Sequence, residues 1–139
     1  MSNIPPSYGR DKGLIPLTGT NKKKMFKQVI VLRKDLNMRK GKMVAQGAHA
    51  SMKAVLDFRN DPFVEEWLNT SFTKIAVSVP DEKSLRQLFT KATAIKIPCS
   101  IIIDNGKTEF HGKQTVTAVA IGPAPDGEVD TVTGKLPLL

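Results

Sequence analysis

The sequence has a single cysteine, Cys99, and only two histidines, His49 and His111, in its 139 residues. One cysteine cannot form a disulfide within the chain, and its apolar surroundings in IPCSIII predict a buried thiol. The three side chains are scattered along the chain, without the close spacing of zinc ligands, and no glycine-rich phosphate-binding loop accompanies them. We therefore expect no disulfide, no metal site and no cofactor.

Long hydrophobic runs are also missing. The purely apolar stretches at residues 29–32 and 101–103 are far shorter than the roughly 20 residues that a membrane-spanning helix needs. The first residues lack the basic-then-apolar order of a secretory signal. The sequence therefore predicts a cytoplasmic protein with no membrane partner.

Acidic residues are scarce in the N-terminal third of the chain. Residues 1–42 hold eleven Lys or Arg against two Asp, a net charge of +9, whereas the other 97 residues sum to −1. Clustered Lys and Arg attract nucleic-acid phosphates, and they also solubilise a tail. Charge alone leaves both interpretations open.

The chain divides into a tail and one domain. Residues 1–24 contain three prolines, three glycines and a run of three lysines without hydrophobic periodicity. This composition predicts a basic, mobile N-terminal tail. The length and pattern of residues 25–139 predict a single domain.

Strand and helix patterns alternate along this domain. We predict strands over residues 26–32, 72–79, 99–103 and 115–121, and helices over residues 42–59, 62–69 and 82–94. The connection between the last two strands is too short for a crossover helix, so these strands should be antiparallel. The fold class is α/β, a three-layer sandwich with a mixed, roughly four-stranded sheet flanked by helices.

The first predicted helix has two distinct sides. Apolar or small residues recur at three- and four-residue spacing and predict the packed side: Val44, Ala48, Ser51, Met52 and Val55. Polar residues recur at the same spacing on another side: Lys42, Gln46, His49 and Lys53. Gly47 costs on the order of 1 kcal/mol within a helix, which predicts a close approach of the backbone to the sheet.

Two segments carry reactive side chains where strands end, the place at which open α/β sheets bind ligands. In Lys40-Gly41-Lys42, lysines oppose the dipole of the first helix unless they hold an anion. In residues 104–108, Asp104 can orient water and Thr108 supplies a hydroxyl. A solvated lysine pair, a tight Asp-Gly turn and, for His49, a structural hydrogen bond explain these residues equally simply.

Four segments resemble the type-two peptidyl-tRNA hydrolase family found in archaea and eukaryotes. They are VIVLRKDLNMRKGKMVAQGAHASMKAV, IIIDNGKTEF, QTVTAVAIGPAP and VDTVTGKLPLL, and the resemblance extends over residues 26–139. It implies a four-stranded mixed sheet, a homodimer, and hydrolysis of the ester that joins a peptide to tRNA. Peptidyl-tRNA is thus the expected partner.

The resemblance also implies roles for particular residues. The catalytic candidates are Lys42, which would stabilise the oxyanion, Asp104, which would orient or deprotonate water, and Thr108. The candidates for substrate binding are Gln46, Thr115, Lys40 and His49. A tRNA-binding protein of the same fold without hydrolytic activity is the alternative interpretation.

Overall fold

The computed structural model describes residues 6–11, 24–106, 110 and 112–139, which form four strands and four helices. In chain order these are β1 (Phe26–Arg33), α1 (Lys40–Asp57), α2 (Pro62–Asn69), β2 (Thr73–Val79), α3 (Glu82–Ala94), β3 (Cys99–Asp104), β4 (Thr115–Pro125) and α4 (Asp126–Thr133). The predicted strands and the first three helices are confirmed to within a few residues at their ends. Helix α4 was not predicted. Within the described part of the chain, no helix is both long and apolar enough to span a bilayer.

The strands form one mixed sheet in the order β2-β1-β4-β3. Strand β1 pairs in parallel with β2, and β4 pairs antiparallel with both β1 and β3. The predicted antiparallel pairing of the last two strands is confirmed. Because β1 and β3 point in the same direction, they finish at the same end of the sheet. Helix α1 follows β1, so its start lies near the end of β3.

Helix α1 covers one face of the sheet, and α2, α3 and α4 cover the other. The face under α1 is lined with small side chains, since Ala118 and Ala120 of β4 pack against Ala50 and Ala54. The next residues along β4 point to the opposite face. There a larger core contains Phe26, Phe63, Trp67, Leu85, Ile97, Val119 and Ile121. The predicted three-layer arrangement is therefore confirmed.

The predicted packing side of α1 is wrong. Val44 and Met52 are 72% and 61% exposed, and Ala48 is also exposed. The buried side consists of Gln46, Gly47, Ala50 and Ala54. The small alanines of β4 let the helix backbone lie close to the sheet, so small residues face inward on most of this side.

The predicted close approach at Gly47 is confirmed. A Cβ atom at this position would lie 3.4 Å from Ile30 Cγ2 on β1. That separation is an ordinary van der Waals contact, so a single methyl group at this position would already touch the sheet. The backbone of α1 at Gly47 thus lies close to β1.

Part of the predicted N-terminal tail lies against the domain. The Tyr8 ring stacks on Phe58 with 5.1 Å between centroids, and the Arg10 guanidinium lies 3.7 Å from the centre of the Phe63 ring. Arg10 also forms a 3.1 Å ion pair with Asp61, whose side chain is 2% exposed. Residues 1–5 and 12–23 of the tail lie outside the described residues, so the domain boundary at residue 24 stays a prediction.

The C-terminal residues cover the outer edge of β2. The Ser78 amide donates to the Pro137 carbonyl, and the Leu139 amide donates to the Ala76 carbonyl, both at 3.0 Å. At the start of the opposite edge strand, Cys99 is a buried free thiol, as predicted. Burial raises its pKa, so it is poorly suited to nucleophilic chemistry.

Candidate active site

Three elements bring polar side chains together at the end of the sheet where β1 and β3 finish. The first turns of α1 supply Lys42 and Gln46, the end of β3 supplies Asp104, and β4 supplies Thr117. Hydrogen bonds join the four residues into a continuous chain. We call these four residues the polar cluster.

Asp104 is the centre of the polar cluster. Its Oδ2 atom accepts hydrogen bonds from Lys42 Nζ at 2.7 Å and from Gln46 Nε2 at 3.1 Å. Its Oδ1 atom accepts from the backbone N–H of Gly106 at 2.7 Å, which closes a tight turn. Gly106 has a φ of +82°, a conformation that favours glycine. One oxygen of Asp104 thus makes the predicted turn, and the other accepts hydrogen bonds from Lys42 and Gln46.

The charged form of Asp104 is stabilised by its neighbours. The hydrogen bond from Lys42 is the main cause that lowers the pKa of this carboxyl group, with smaller contributions from Gly106 and Gln46. Only 13% of each side chain in the Lys42–Asp104 pair is exposed. The carboxylate therefore stays ionised at neutral pH, and its low pKa makes it a weak proton acceptor.

Thr117 fixes the orientation of Gln46. Its hydroxyl donates to Gln46 Oε1 at 2.5 Å, and both residues are buried, with exposures of 0% and 2%. Because the amide oxygen is held by Thr117, the amide nitrogen faces Asp104. Thr117 was not predicted as a site residue.

Thr115, the predicted threonine, is two residues earlier on β4, on the same side of the strand. It lies opposite Asp104 in the pairing of β3 with β4, but its hydroxyl donates to the Lys113 carbonyl at 3.0 Å. Among the described residues, no side-chain hydrogen bond joins Thr115 to the polar cluster. The alternating threonines of TVT were the available signal. The choice between them depends on which one lies beneath α1, and sequence spacing does not show this.

The other predicted residues lie around the polar cluster or outside the described residues. Lys40 and His49 are exposed on α1. Thr108 falls outside the described part of the chain, so its catalytic role stays a prediction. Near it, the Phe110 ring lies 5.6 Å from Lys42 Nζ, within the range of a cation–π contact.

A basic surface adjoins the polar cluster. The loop between β1 and α1 exposes Lys34 and Arg39, and the first residue of α1 exposes Lys40, just before Lys42. The acidic residue of this loop, Asp35, is paired with Arg33 at 2.7 Å. This loop therefore presents positive charge at the edge of the sheet where the cluster lies, which suits a phosphate-bearing ligand.

Other kinds of site are less well developed. Among the residues that the structure describes, no three His, Cys, Asp or Glu side chains lie close enough to hold a metal ion. A surface depression of about 870 Å³ follows the solvent side of α3 and contains no residue of the polar cluster. The candidate chemistry is therefore that of an ammonium group, a carboxylate and an amide.

Comparison with known proteins places this arrangement in a family. The family model described as Peptidyl-tRNA hydrolase PTH2 matches residues 26–139. A protein named peptidyl-tRNA hydrolase from Methanocaldococcus jannaschii is 49% identical over 116 residues, which cover 82% of this chain and 100% of the relative. Proteins of the same name from Sulfurisphaera tokodaii and Halobacterium salinarum are 43% and 42% identical over 119 and 113 residues, covering 81% of this chain and 98% and 99% of the relatives.

The match begins at the first residue of β1 and contains the whole polar cluster. It covers far more than half of the chain, and the relatives are matched over nearly their full length. The chain belongs to the peptidyl-tRNA hydrolase family described as PTH2.

Proposed function

We propose that the protein hydrolyses the ester bond between peptide and tRNA in peptidyl-tRNA and so returns free tRNA. The observation that carries this proposal is the 2.7 Å contact between Lys42 and Asp104, beside a basic surface, within the region that matches the family. An ammonium group and a carboxylate held together provide the charge that ester hydrolysis by water requires.

Lys42 is proposed to stabilise the transition state. The oxygen of water adds to the ester carbonyl carbon, and negative charge develops on the carbonyl oxygen. The bond from this carbon to the ribose oxygen then breaks, one proton of the water passes to the ribose oxygen, and the peptide leaves as a carboxylic acid that ionises. A cation that is already positioned, and 13% exposed, stabilises the developing charge more strongly than a solvated one.

Asp104 is proposed to orient the attacking water. Orientation and deprotonation were both open from the sequence. A carboxylate whose pKa lies below its usual range accepts protons poorly at neutral pH, which favours orientation. Asp104 also holds Lys42 in place, while Gln46 and Thr117 hold Asp104.

The exposed cations Lys34, Arg39 and Lys40 are proposed to contact tRNA phosphates. They precede Lys42 along the chain and share its edge of the sheet. Phosphate contacts of this kind weaken as salt rises, so tRNA binding should be strongly salt-dependent. Replacing Lys40 with Ala should lower, by about one, the slope of the logarithm of the tRNA binding constant against the logarithm of salt concentration. Hydrolysis should still occur.

A cleavage assay with N-blocked aminoacyl-tRNA tests the function and the site together. Lys42→Ala and Asp104→Asn should each lower kcat by about 100- to 1000-fold, with tRNA affinity largely retained. Lys91→Ala, an exposed lysine on α3, is the matched control and should leave kcat unchanged. Salt-sensitive tRNA binding without cleavage by the unaltered protein would instead support the RNA-binding alternative. Normal rates in both site variants would contradict the assigned roles.

We further propose that the protein acts in the cytoplasm as a homodimer, as predicted from the sequence. The exposed apolar side of α1, with Val44 and Met52, adjoins an apolar groove of about 390 Å³ that includes Met43 and Leu139. A second copy of the chain is the proposed occupant. Light scattering should give a dimer mass for the unaltered protein and a monomer mass for Met52→Lys. A monomer in both cases would contradict the proposal.

A further inference from the structure

The two outer edges of the sheet differ in how their backbone groups are satisfied. The edge of β2 is paired with the C-terminal residues Pro137 and Leu139. On β3, no described residue donates to or accepts from the outer backbone edge of residues 101–103. Ile103 is also 53% exposed. An unpaired edge strand of this kind is a template for another extended chain.

The open edge of β3 leads directly to the polar cluster. The strand runs from Cys99 to Asp104, and Asp104 contacts both Lys42 and Gln46. A chain lying on this edge would therefore end beside the groups proposed to act on the ester.

A cavity lies at the other end of the same edge. Its volume is about 410 Å³, within the usual range for ligand sites. Ser100 and Ile101 of β3 form part of its wall, together with Phe58, Phe89 and Tyr8. Tyr8 belongs to the docked N-terminal segment and bounds the cavity at the end away from the polar cluster.

Helix α1 forms one wall between the polar cluster and the cavity. Gln46, His49 and Lys53 recur at three- and four-residue spacing and so share one side of the helix. Gln46 belongs to the polar cluster, His49 is exposed, and Lys53 lines the cavity. The polar cluster, the open edge and the cavity thus follow one another along β3, and we call this surface the groove.

We propose that the peptide part of the substrate binds in this groove as an added strand on the open edge of β3. This inference rests on the proposed function, because it assumes an ester carbonyl at the polar cluster. From Asp104 back to Ser100 the groove spans four residue steps, or about 13 Å. It therefore accommodates the last four or so residues of the peptide.

The direction of the added strand follows from the position of the ester. The C-terminal residue of the peptide carries the ester and must lie at Asp104, where β3 also ends. The peptide then runs parallel to β3. Pairing through main-chain N–H and C=O groups binds peptides regardless of their side chains, which suits an enzyme that meets unfinished peptides of any sequence.

A series of substrates of different length tests the groove. N-blocked alanine peptides of one, two, three, four and six residues are attached to the same tRNA. The inference predicts that kcat/KM rises at least tenfold in total and levels off near four residues, since each hydrogen bond contributes about 2- to 10-fold. Cleavage of all substrates at equal kcat/KM would overturn the groove but not the function. No cleavage of any substrate in the series would overturn both.

Backbone methylation of the peptide tests the pairing itself. Successive N–H groups of a strand point to opposite sides, so N-methylation should lower kcat/KM about fivefold or more only at alternate positions. Replacing alanine with leucine at the same positions should change kcat/KM less than threefold. Loss of activity with leucine but not with N-methylation would contradict main-chain recognition.

Hydrogen exchange locates the bound peptide. A substrate analogue with an amide in place of the ester should slow exchange of outward-facing amides in residues 101–103 at least tenfold. Amides of β2 that already pair with the C-terminal residues, such as Ser78, provide the control and should not change. Protection of residues 101–103 that rises with protein concentration without the analogue would show a second copy on this edge and overturn the proposal.

Discussion

The two faces of the sheet are covered by different kinds of side chain. The face under α2, α3 and α4 is packed with large apolar side chains such as Trp67, Leu85 and Ile121. The face under α1 combines alanines with buried polar groups. Besides the bonds to Asp104, short hydrogen bonds tie that helix to the sheet: Ser51 donates to Gln28 at 2.6 Å, Ser100 to the Ala50 carbonyl at 2.6 Å, and Thr117 to Gln46 at 2.5 Å.

The two faces therefore contribute differently to the stability of the fold and to the positions of the polar cluster. Burial of large apolar surface stabilises a fold but is tolerant of small displacements. Hydrogen bonds between buried groups are directional, and a displaced partner leaves a costly unsatisfied group. We infer that the large core supplies most of the stability, whereas the α1 face sets the positions of Lys42 and Gln46.

The largest expected effect is a loss of folding stability when the large core is altered. Trp67 is 1% exposed, and its ring nitrogen donates to the Thr73 carbonyl at 2.8 Å. Trp67→Ala should lower the free energy of unfolding by about 3–5 kcal/mol, measured by urea denaturation. The kcat of the molecules that remain folded should be close to that of the unaltered protein. A proportionate fall in kcat would show that the two faces are not separable.

Two neighbouring residues of β4 compare the faces directly. Ala118 faces α1, whereas Val119 faces the large core, and both are fully buried. Ala118→Val and Val119→Ile each overpack their face, at a cost of about 1–3 kcal/mol in unfolding free energy. Only Ala118→Val should also lower kcat, because it displaces α1. Equal kcat values in the two variants would break the comparison.

The two threonines of β4 give a finer test within the α1 face. Thr117→Val keeps the shape of the side chain but removes the donor to Gln46, and kcat should fall about tenfold. Thr115→Val removes only a bond to the Lys113 carbonyl and should leave kcat nearly unchanged. The opposite order of effects would restore Thr115 as the functional residue.

The smallest effect concerns the charge of Asp104. Its pKa is lowered chiefly by Lys42, so ionised Asp104 stabilises the fold above the usual carboxyl pKa of about 3.9. That contribution disappears as the pH falls through the lower value of the folded state. In Lys42→Met the pKa should rise towards the usual value in a carboxyl-carbon NMR titration. Asp81, whose pKa is lowered mainly by the Ser84 backbone N–H, is the control and should not change.

Local patterns were enough to predict the strands, three helices and the meeting of Lys42, Gln46 and Asp104. Hydrophobic periodicity gave the elements, and the family motifs gave the residues. The packed side of α1 was missed because Val44 and Met52 are more hydrophobic than the residues that face the sheet, and only the alanines of β4 explain their exposure. Helix α4 has no strong apolar periodicity to reveal it.

The contacts of the N-terminal segment could not be predicted from the sequence either. Arg10 and Asp61 are 51 residues apart, and Tyr8 meets Phe58 across a similar separation. Neither pair follows from helical or strand spacing. Such contacts depend on the assembled domain, which provides a buried carboxylate and two aromatic surfaces for a segment outside the family match.

The hydrogen bonds that hold α1 to the sheet have a consequence for how the enzyme meets its substrate. Ser51, Ser100 and Thr117 each make a bond across the α1 face, so a sliding helix would break several of them at once. A shift of one residue, about 1.5 Å, exceeds the range over which a hydrogen bond survives. The reacting groups are therefore assembled before substrate arrives, and the free energy of binding does not have to be used to organise them.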